Sequence, residues 1–117
     1  MTKKLVYIAG PYTAHSQDLV QANIDRAVAI AQQVRKVGAV PYVPHISIPP
    51  LPGTLEAQWG PAMQECLTML SRCDGVIFVP GWESSRGSRI EFGQAMEWGL
   101  PVFCTAEEVR AWVEKAA

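Results

Sequence analysis

The sequence predicts a single α/β domain in which helices cover both faces of a small parallel sheet. Short apolar runs that are typical of buried strands alternate with helical patterns along all 117 residues. The resulting order is β-α-β-α-β-α-β-α, and such alternation favours parallel strands joined by crossover helices. No repeat, linker or low-complexity segment interrupts the pattern, so one domain over residues 1–117 is expected.

The first half of the chain contains two predicted strands and one helix. Residues 5–9 (LVYIA) are apolar throughout, which indicates a strand buried on both faces. Apolar residues then recur at intervals of three and four, which predicts a helix that ends at Gly38. Its apolar face comprises Val20, Ile24, Ala27, Ala31 and Val34. Residues 39–43 form the second predicted strand, which Pro44 ends.

Residues 44–54 (PHISIPPLPGT) are predicted to be an irregular loop. Four prolines and a glycine argue against a helix or a central strand in this segment. An irregular loop of this length in a small domain is often functional, and a rigid connector is the alternative. The composition does not distinguish the two.

The second half begins with a helix over residues 55–71, followed by the apolar strand 76–79, which Pro80 and Gly81 end. A polar loop precedes a helix over residues 87–98, which Gly99 caps. Residues 102–104 form the last predicted strand. Thr105 and Glu108 form a capping box that starts the final helix.

Composition excludes several classes of function. A net charge of −1 argues against binding to a nucleic acid polymer, and no apolar run approaches the roughly 18 residues of a membrane span. Cys66, Cys73 and Cys104 lack metal-site spacing, which predicts buried, reduced thiols in a cytoplasmic protein and no metal. The first turn, GPYTAH, matches neither dinucleotide-binding nor P-loop motifs, so no cofactor is expected.

The candidate site lies where the loops after the first three strands meet. A strand, a polar glycine-containing loop and a helix start form a common anion site in α/β proteins, and ligands bind at the carboxyl ends of the strands. Glu91 is the only carboxylate in residues 84–91. The candidate residues are Tyr7, Gly10, Pro11, Tyr12, His45, Trp82, Ser85, Arg86, Gly87, Ser88 and Glu91.

Structural roles are open alternatives for most of these residues. Ser88 and Glu91 have the spacing of a capping box, in which Glu91 would only accept an N–H of its own helix. Arg86 could instead be a surface side chain in contact with solvent, and His45 could be a structural histidine at a strand end. Trp82 has the alternative of covering the core.

Several motifs together resemble the nucleoside 2-deoxyribosyltransferase-like superfamily, and more distantly the 2′-deoxynucleoside 5′-phosphate N-hydrolases. They are VYIAGPYT near the start, an NxxRAVAIA helix, PYVPH and CDGVIFVPGWESSRGSRIEFGQAMEWGLPVF. The resemblance covers almost the whole chain. It implies a flavodoxin-like three-layer sandwich, a homodimer or larger assembly, and cleavage of the N-glycosidic bond between a base and a (deoxy)ribose.

The resemblance also implies roles for individual residues. Glu91 would be the nucleophile, kept ionised by the start of its helix, and Tyr7 would orient its carboxylate. The sugar- or phosphate-binding positions would be Ser85, Gly87 and Ser88, with Gly10 and Pro11 along the sugar. The enzymes carry an aspartate near the leaving base, but Cys66 stands at that spacing here and Glu65 one residue earlier. Either Glu65 replaces the aspartate or the second carboxylate is missing.

These observations lead to the hypothesis of an N-glycosidase that cleaves a (deoxy)nucleoside 5′-monophosphate. Arg86 would assist the serines in binding phosphate, and Tyr12 and Trp82 would enclose the base. The alternatives are base exchange by a nucleoside deoxyribosyltransferase and a nucleotide-binding module without catalysis. A homodimer is expected also because Trp59, Trp98 and Trp112 are more apolar surface than small helices easily cover.

Overall fold

A computed structural model describes residues 2–49 and 51–116, except the side chain of Leu55. Four strands form one sheet: β1 (Leu5–Ala9), β2 (Val40–Tyr42), β3 (Gly75–Phe78) and β4 (Val102–Phe103). The longer helices are α1 (Gln17–Lys36), α3 (Leu55–Leu70), α4 (Arg86–Trp98) and α5 (Ala106–Ala116). A short helix α2 (Pro44–Ser47) follows β2, and a 3₁₀ turn, Trp82–Ser84, precedes α4.

The sheet is parallel throughout, with the order β2-β1-β3-β4. In this order β1 lies in the centre, where Tyr7 is opposite Tyr42 of β2 and Val76 of β3. The α/β prediction is confirmed, and the strand order and the three layers are those of a flavodoxin-like fold.

Alternate residues of the strands build two separate cores. Val6 and Ile8 of β1 point to the face that α1 and α5 cover, where they pack with Val34 and Val109. Tyr7 belongs to the opposite face, which α3 and α4 cover. All five of these side chains are fully buried. A site that uses Tyr7 therefore lies on the α3 and α4 side of the sheet.

Local signals position most of the connections. Gly38, Gly81 and Gly99 adopt positive φ angles of 98°, 91° and 68° at element ends, where glycine carries little steric penalty. The capping box before α5 is confirmed, because Glu108 accepts from the Thr105 amide at 2.9 Å and donates its own amide to the Thr105 hydroxyl at 3.2 Å. None of the helices in the described ranges combines the length and the apolar character that crossing a membrane requires.

Two predictions about the chain need correction, one for residues 44–47 and one for Cys104. Residues 44–47 are helical, because Pro44 occupies the first turn, where a missing N–H has no helical partner to lose. Cys104 is exposed, whereas Cys73 is buried as expected. Trp112 is partly buried, and its ring packs on that of Phe103 with 5.0 Å between centroids.

Candidate active site

The centre of the site is a buried pair formed by Tyr7 and Glu91. Tyr7 is fully buried in the middle of β1, and Glu91 on α4 is only 5% exposed. The Tyr7 hydroxyl donates a hydrogen bond to Oε2 of Glu91. The central strand therefore fixes the position of a carboxylate carried by a helix.

The environment of this pair changes the acidity of both groups. Burial raises the pKa of Glu91 to about 7, against the lowering effect of the Tyr7 hydrogen bond. Burial also raises the pKa of the Tyr7 hydroxyl, and the Glu91 charge raises it further. The helix start stabilises the Glu91 charge only weakly, because Glu91 lies in the second turn of α4 and the dipole acts mainly within the first turn.

The hypothesis that Glu91 caps its own helix is also wrong. The N-cap of α4 is Ser85, whose hydroxyl accepts the Ser88 amide at 3.2 Å. The helix thus begins at Arg86, three residues earlier than a capping box formed by Ser88 and Glu91 would require. This start turns Glu91 toward the sheet and Tyr7.

A cavity of about 230 Å³ opens above the pair at the carboxyl ends of β1 and β3. From β1, its following loop and α4, it is lined by Tyr7, Gly10, Tyr12, Thr13, Ser85, Gly87, Ser88 and Glu91. From the segment after β2 and from α3, it is lined by Pro44, His45, Ile48, Pro49, Leu51, Gln58, Trp59, Ala62, Met63 and Cys66. Gly10 permits the close approach of two chain segments here, since a Cβ at this position would lie 2.9 Å from Cβ of Val79.

The polar end of the cavity is the start of α4. The amides of Arg86 and Gly87 have no carbonyl one turn earlier within the helix, and they form the positive end of its dipole. Ser88 is 1% exposed, and its buried hydroxyl has no hydrogen-bond partner. A Cβ on Gly87 would lie 3.2 Å from Sδ of Met63, so glycine lets α3 and α4 pack closely at this point. This end has the donors that an anionic group of a ligand requires.

His45 links the segment after β2 to the first loop. Its Nε2 lies 3.0 Å from the carbonyl oxygen of Pro11, which only accepts, so Nε2 carries the proton. The buried Nδ1 is then an acceptor without a partner. Burial lowers the pKa of His45, against the raising effect of the hydrogen bond to the Pro11 carbonyl. Pro11 thus positions His45 through its carbonyl and is not among the described lining residues.

Asn23 is a supporting residue that was not among the site candidates. Its Nδ2 donates to the carbonyl oxygen of Tyr12 at 3.0 Å, and its Oδ1 accepts from Arg26. Asn23 is 8% exposed, so this bond anchors the loop after β1 from the inside. The NxxR pattern of the α1 motif is the signal that could have identified Asn23. Its asparagine binds the Tyr12 carbonyl, and its arginine, Arg26, binds the asparagine side chain.

Three other candidate residues lie outside the cavity lining. Trp82 packs on the rings of Phe78 and Phe92 at 4.8 and 4.9 Å, so it covers the core and does not enclose a base. Arg86 is stacked on the Trp59 ring, with 4.2 Å between the guanidinium carbon and the ring centroid. Glu65 is exposed and lines a separate groove.

The position of Glu65 does not support its assignment as the base-side carboxylate. Consecutive residues of a helix point about 100° apart, and it is Cys66 that faces the cavity. Burial raises the pKa of the Cys66 thiol to about 11, so it is a neutral group at physiological pH. Within the described residues, no cluster of three His, Cys, Asp or Glu side chains could hold a metal ion.

The helix α3 contributes an apolar wall to the cavity. Trp59, Met63 and Cys66 stand one turn apart and face the cavity, whereas Leu70, one turn further on, is fully buried against the sheet. The apolar face of α3 therefore extends beyond the sheet. That extension, together with the proline-rich segment opposite, is the signal that could have indicated a cavity.

Comparisons with known proteins identify the fold and a family. The family model described as "Domain of unknown function (DUF4406)" matches residues 4–104. A search of curated proteins found no match. The chain is similar in structure to a "conserved protein from Enterococcus faecalis V583", with a TM-score of 0.60 and 20% sequence identity. The likeness covers 86% of this chain and 62% of that one, so the present chain spans less than two thirds of its length.

Proposed function

The chain belongs to the DUF4406 family, whose description assigns no function, and we propose from the site geometry that it is an N-glycosidase. Its substrate is a (deoxy)nucleoside 5′-monophosphate, and the bond it cleaves joins the base to the sugar. The observation that carries the proposal is the Glu91 carboxylate, buried at the cavity and hydrogen-bonded to Tyr7. A buried carboxylate with a raised pKa in a cleft is a strong candidate for catalysis.

Glu91 suits the charge that develops when a glycosidic C–N bond breaks. The transition state resembles an oxocarbenium ion, with positive charge at the anomeric carbon. A carboxylate beside that carbon stabilises the charge and can form a glycosyl-enzyme ester, which water then hydrolyses. The hydroxyl of Tyr7 holds the carboxylate in one orientation, so little reorganisation is needed at the moment of reaction.

The start of α4 supports a phosphate at one end of the substrate. The free first-turn amides and the unpartnered hydroxyl of Ser88 lie on the same helix as Glu91. Ser88 precedes Glu91 by three positions, so the two side chains lie on one face of that helix. This spacing suits a ligand with an anionic group next to the sugar that reacts.

The opposite wall supports a flat, mostly apolar group. Trp59, Met63 and Ile48 line this part of the cavity, and the aromatic ring of Tyr12 lies beside His45 with 5.9 Å between ring centroids. Aromatic and thioether groups make favourable contacts with planar rings. A nucleobase is such a ring, and it would extend from the sugar at Glu91 toward α3.

One observation favours a second candidate function. Glu91 is the only carboxylate among the described residues that line the cavity, so no second carboxylic acid assists the departing base. A module that binds nucleotides without cleaving them would need no such acid. The two candidates make opposite predictions about turnover.

The test is a panel of nucleoside 5′-monophosphates and the matching nucleosides, with release of free base followed by chromatography. We expect base release from at least one monophosphate and much weaker release from its nucleoside. Saturable binding without release of any base would select the non-catalytic module. Incorporation of an added second base would select base exchange over hydrolysis.

A further inference from the structure

The charges and donors of the cavity limit which base can leave. Among the described residues that line it, there is no lysine or arginine, and Glu91 is the one acidic side chain. We propose, on the basis of the proposed function, that the substrate is a nucleotide whose base carries a formal positive charge, such as a pyridinium or an N7-alkylated purine. Such a base needs no acid to leave.

Three of the polar side chains in the lining donate protons to other groups of the protein, and the remaining donors are hydroxyl, indole and thiol groups, which are weaker acids than a carboxylic acid. Tyr7 donates its hydroxyl proton to Glu91. His45 donates its Nε2 proton to the Pro11 carbonyl over 3.0 Å and presents only a lone pair at its buried Nδ1. Gln58 donates to the Gly53 carbonyl at 2.6 Å. Glu91 itself must be ionised in order to attack the sugar, so it cannot be the acid in the same step.

The wall that the base would meet is apolar. Trp59, Met63 and Cys66 form it, and its polar hydrogens are the indole N–H of Trp59 and the thiol S–H of Cys66, neither of which is a strong acid. A neutral base that departs without a proton is an anion, and an apolar wall stabilises an anion poorly. A cationic base departs as a neutral molecule, which suits the same wall.

The reaction balances without a further reagent. The Glu91 oxygen forms a bond to the anomeric carbon while the C–N bond breaks. The electron pair of that bond passes to the ring nitrogen and cancels its positive charge. Water then adds to the anomeric carbon, the carboxylate leaves, and one proton is released to solvent. The positive charge of the bound base is also attracted to the ionised Glu91 before the reaction.

Matched substrates test the proposal on the intact chain. The first pair is 7-methylguanosine 5′-monophosphate and guanosine 5′-monophosphate, which differ by one methyl group and its charge. The second pair is nicotinamide mononucleotide and its neutral dihydro form. For each compound, base release is measured as acceleration over the spontaneous reaction, and Glu91→Gln serves as the control.

We expect acceleration at least about 100-fold greater for the cationic member of each pair, because general acid catalysis is typically worth roughly 10²–10⁴-fold. Release of neutral bases with accelerations within tenfold of the cationic ones would overturn the inference and leave the N-glycosidase function standing. Release of cationic bases by Glu91→Gln at the wild-type rate would also overturn the inference. Absence of release from all four compounds and from the wider panel would overturn both the inference and the proposed function.

Discussion

Removal of the Tyr7 hydroxyl tests whether this group sets the charge of Glu91. Tyr7→Phe keeps the ring, which packs against Tyr42 with 5.8 Å between centroids, and removes only the donor to Glu91. The carboxylate then remains buried without that partner. Its ionised form loses a stabilising hydrogen bond, so the pKa of Glu91 is expected to rise.

The size of the effect follows from the strength of that bond. A hydrogen bond to a charged group is worth roughly 1.5–3 kcal/mol. Since about 1.4 kcal/mol corresponds to one pKa unit, the pKa of Glu91 should move from about 7 to roughly 8–9. At pH 7 the ionised fraction would fall from about one half to roughly 1–10%, which lowers turnover roughly 5–50-fold.

The assay is kcat/KM for base release as a function of pH in the wild type and in Tyr7→Phe. We expect the acid limb of the profile to move upward in pH and most of the activity to return above pH 9. Tyr42→Phe is the matched control, because Tyr42 lies outside the described cavity lining, and its profile should equal that of the wild type. An equal loss at every pH in Tyr7→Phe would refute the reasoning, since the hydroxyl would then act on the substrate and not on Glu91.

Three further predictions concern stability, the first loop and assembly. Burial raises the pKa of Glu91 from an ordinary 4.5 to about 7, so ionisation of Glu91 costs the native state about 3 kcal/mol, a cost that is absent below pH 4.5 and complete above pH 7. As the pH rises from 4.5 to 7, the free energy of unfolding of Glu91→Gln should therefore increase relative to that of the wild type in urea titrations. Parallel curves of stability against pH for the two proteins would contradict this. Asn23→Ala should destabilise the fold by about 1–3 kcal/mol and weaken nucleotide binding, because the Tyr12 carbonyl loses its hydrogen-bond donor. An unchanged affinity in calorimetry would show that the loop after β1 does not need this hydrogen bond. Met96 and Trp98 are exposed on α4, and we expect a homodimer at micromolar concentration, which light scattering would disprove by detecting a monomer.

Regular hydrophobic patterns allowed most of the fold to be predicted from the sequence. The apolar face of α1 and the capping box at Thr105 lie at the predicted positions, because residues close together in the chain determine both features. The helix at Pro44 was missed because proline was taken only as a breaker, whereas it also suits the first turn.

The site depends on contacts that local sequence does not contain. Ser85 and Ser88 are both good N-caps, and only the start of α4 at Arg86 decides that Glu91 faces the sheet. Tyr7 and Glu91 are 84 positions apart, and the resemblance, not the pattern, brought them together. Cys66 and Glu65 are adjacent in the chain, but the orientation of α3 determines which of them faces the cavity.

The most direct test of the central claim compares two identical substitutions at two carboxylates. Glu91→Gln removes the negative charge at the cavity and keeps the size of the side chain, while Glu65→Gln makes the same change in the separate groove. On the nucleotide that the wild type cleaves fastest, we expect Glu91→Gln to lose at least about 1,000-fold in base release, equal to about 4 kcal/mol of barrier. Glu65→Gln should stay within about twofold of the wild type, less than about 0.5 kcal/mol. Base release by Glu91→Gln within a few-fold of the wild type would contradict the assignment of Glu91 as the nucleophile.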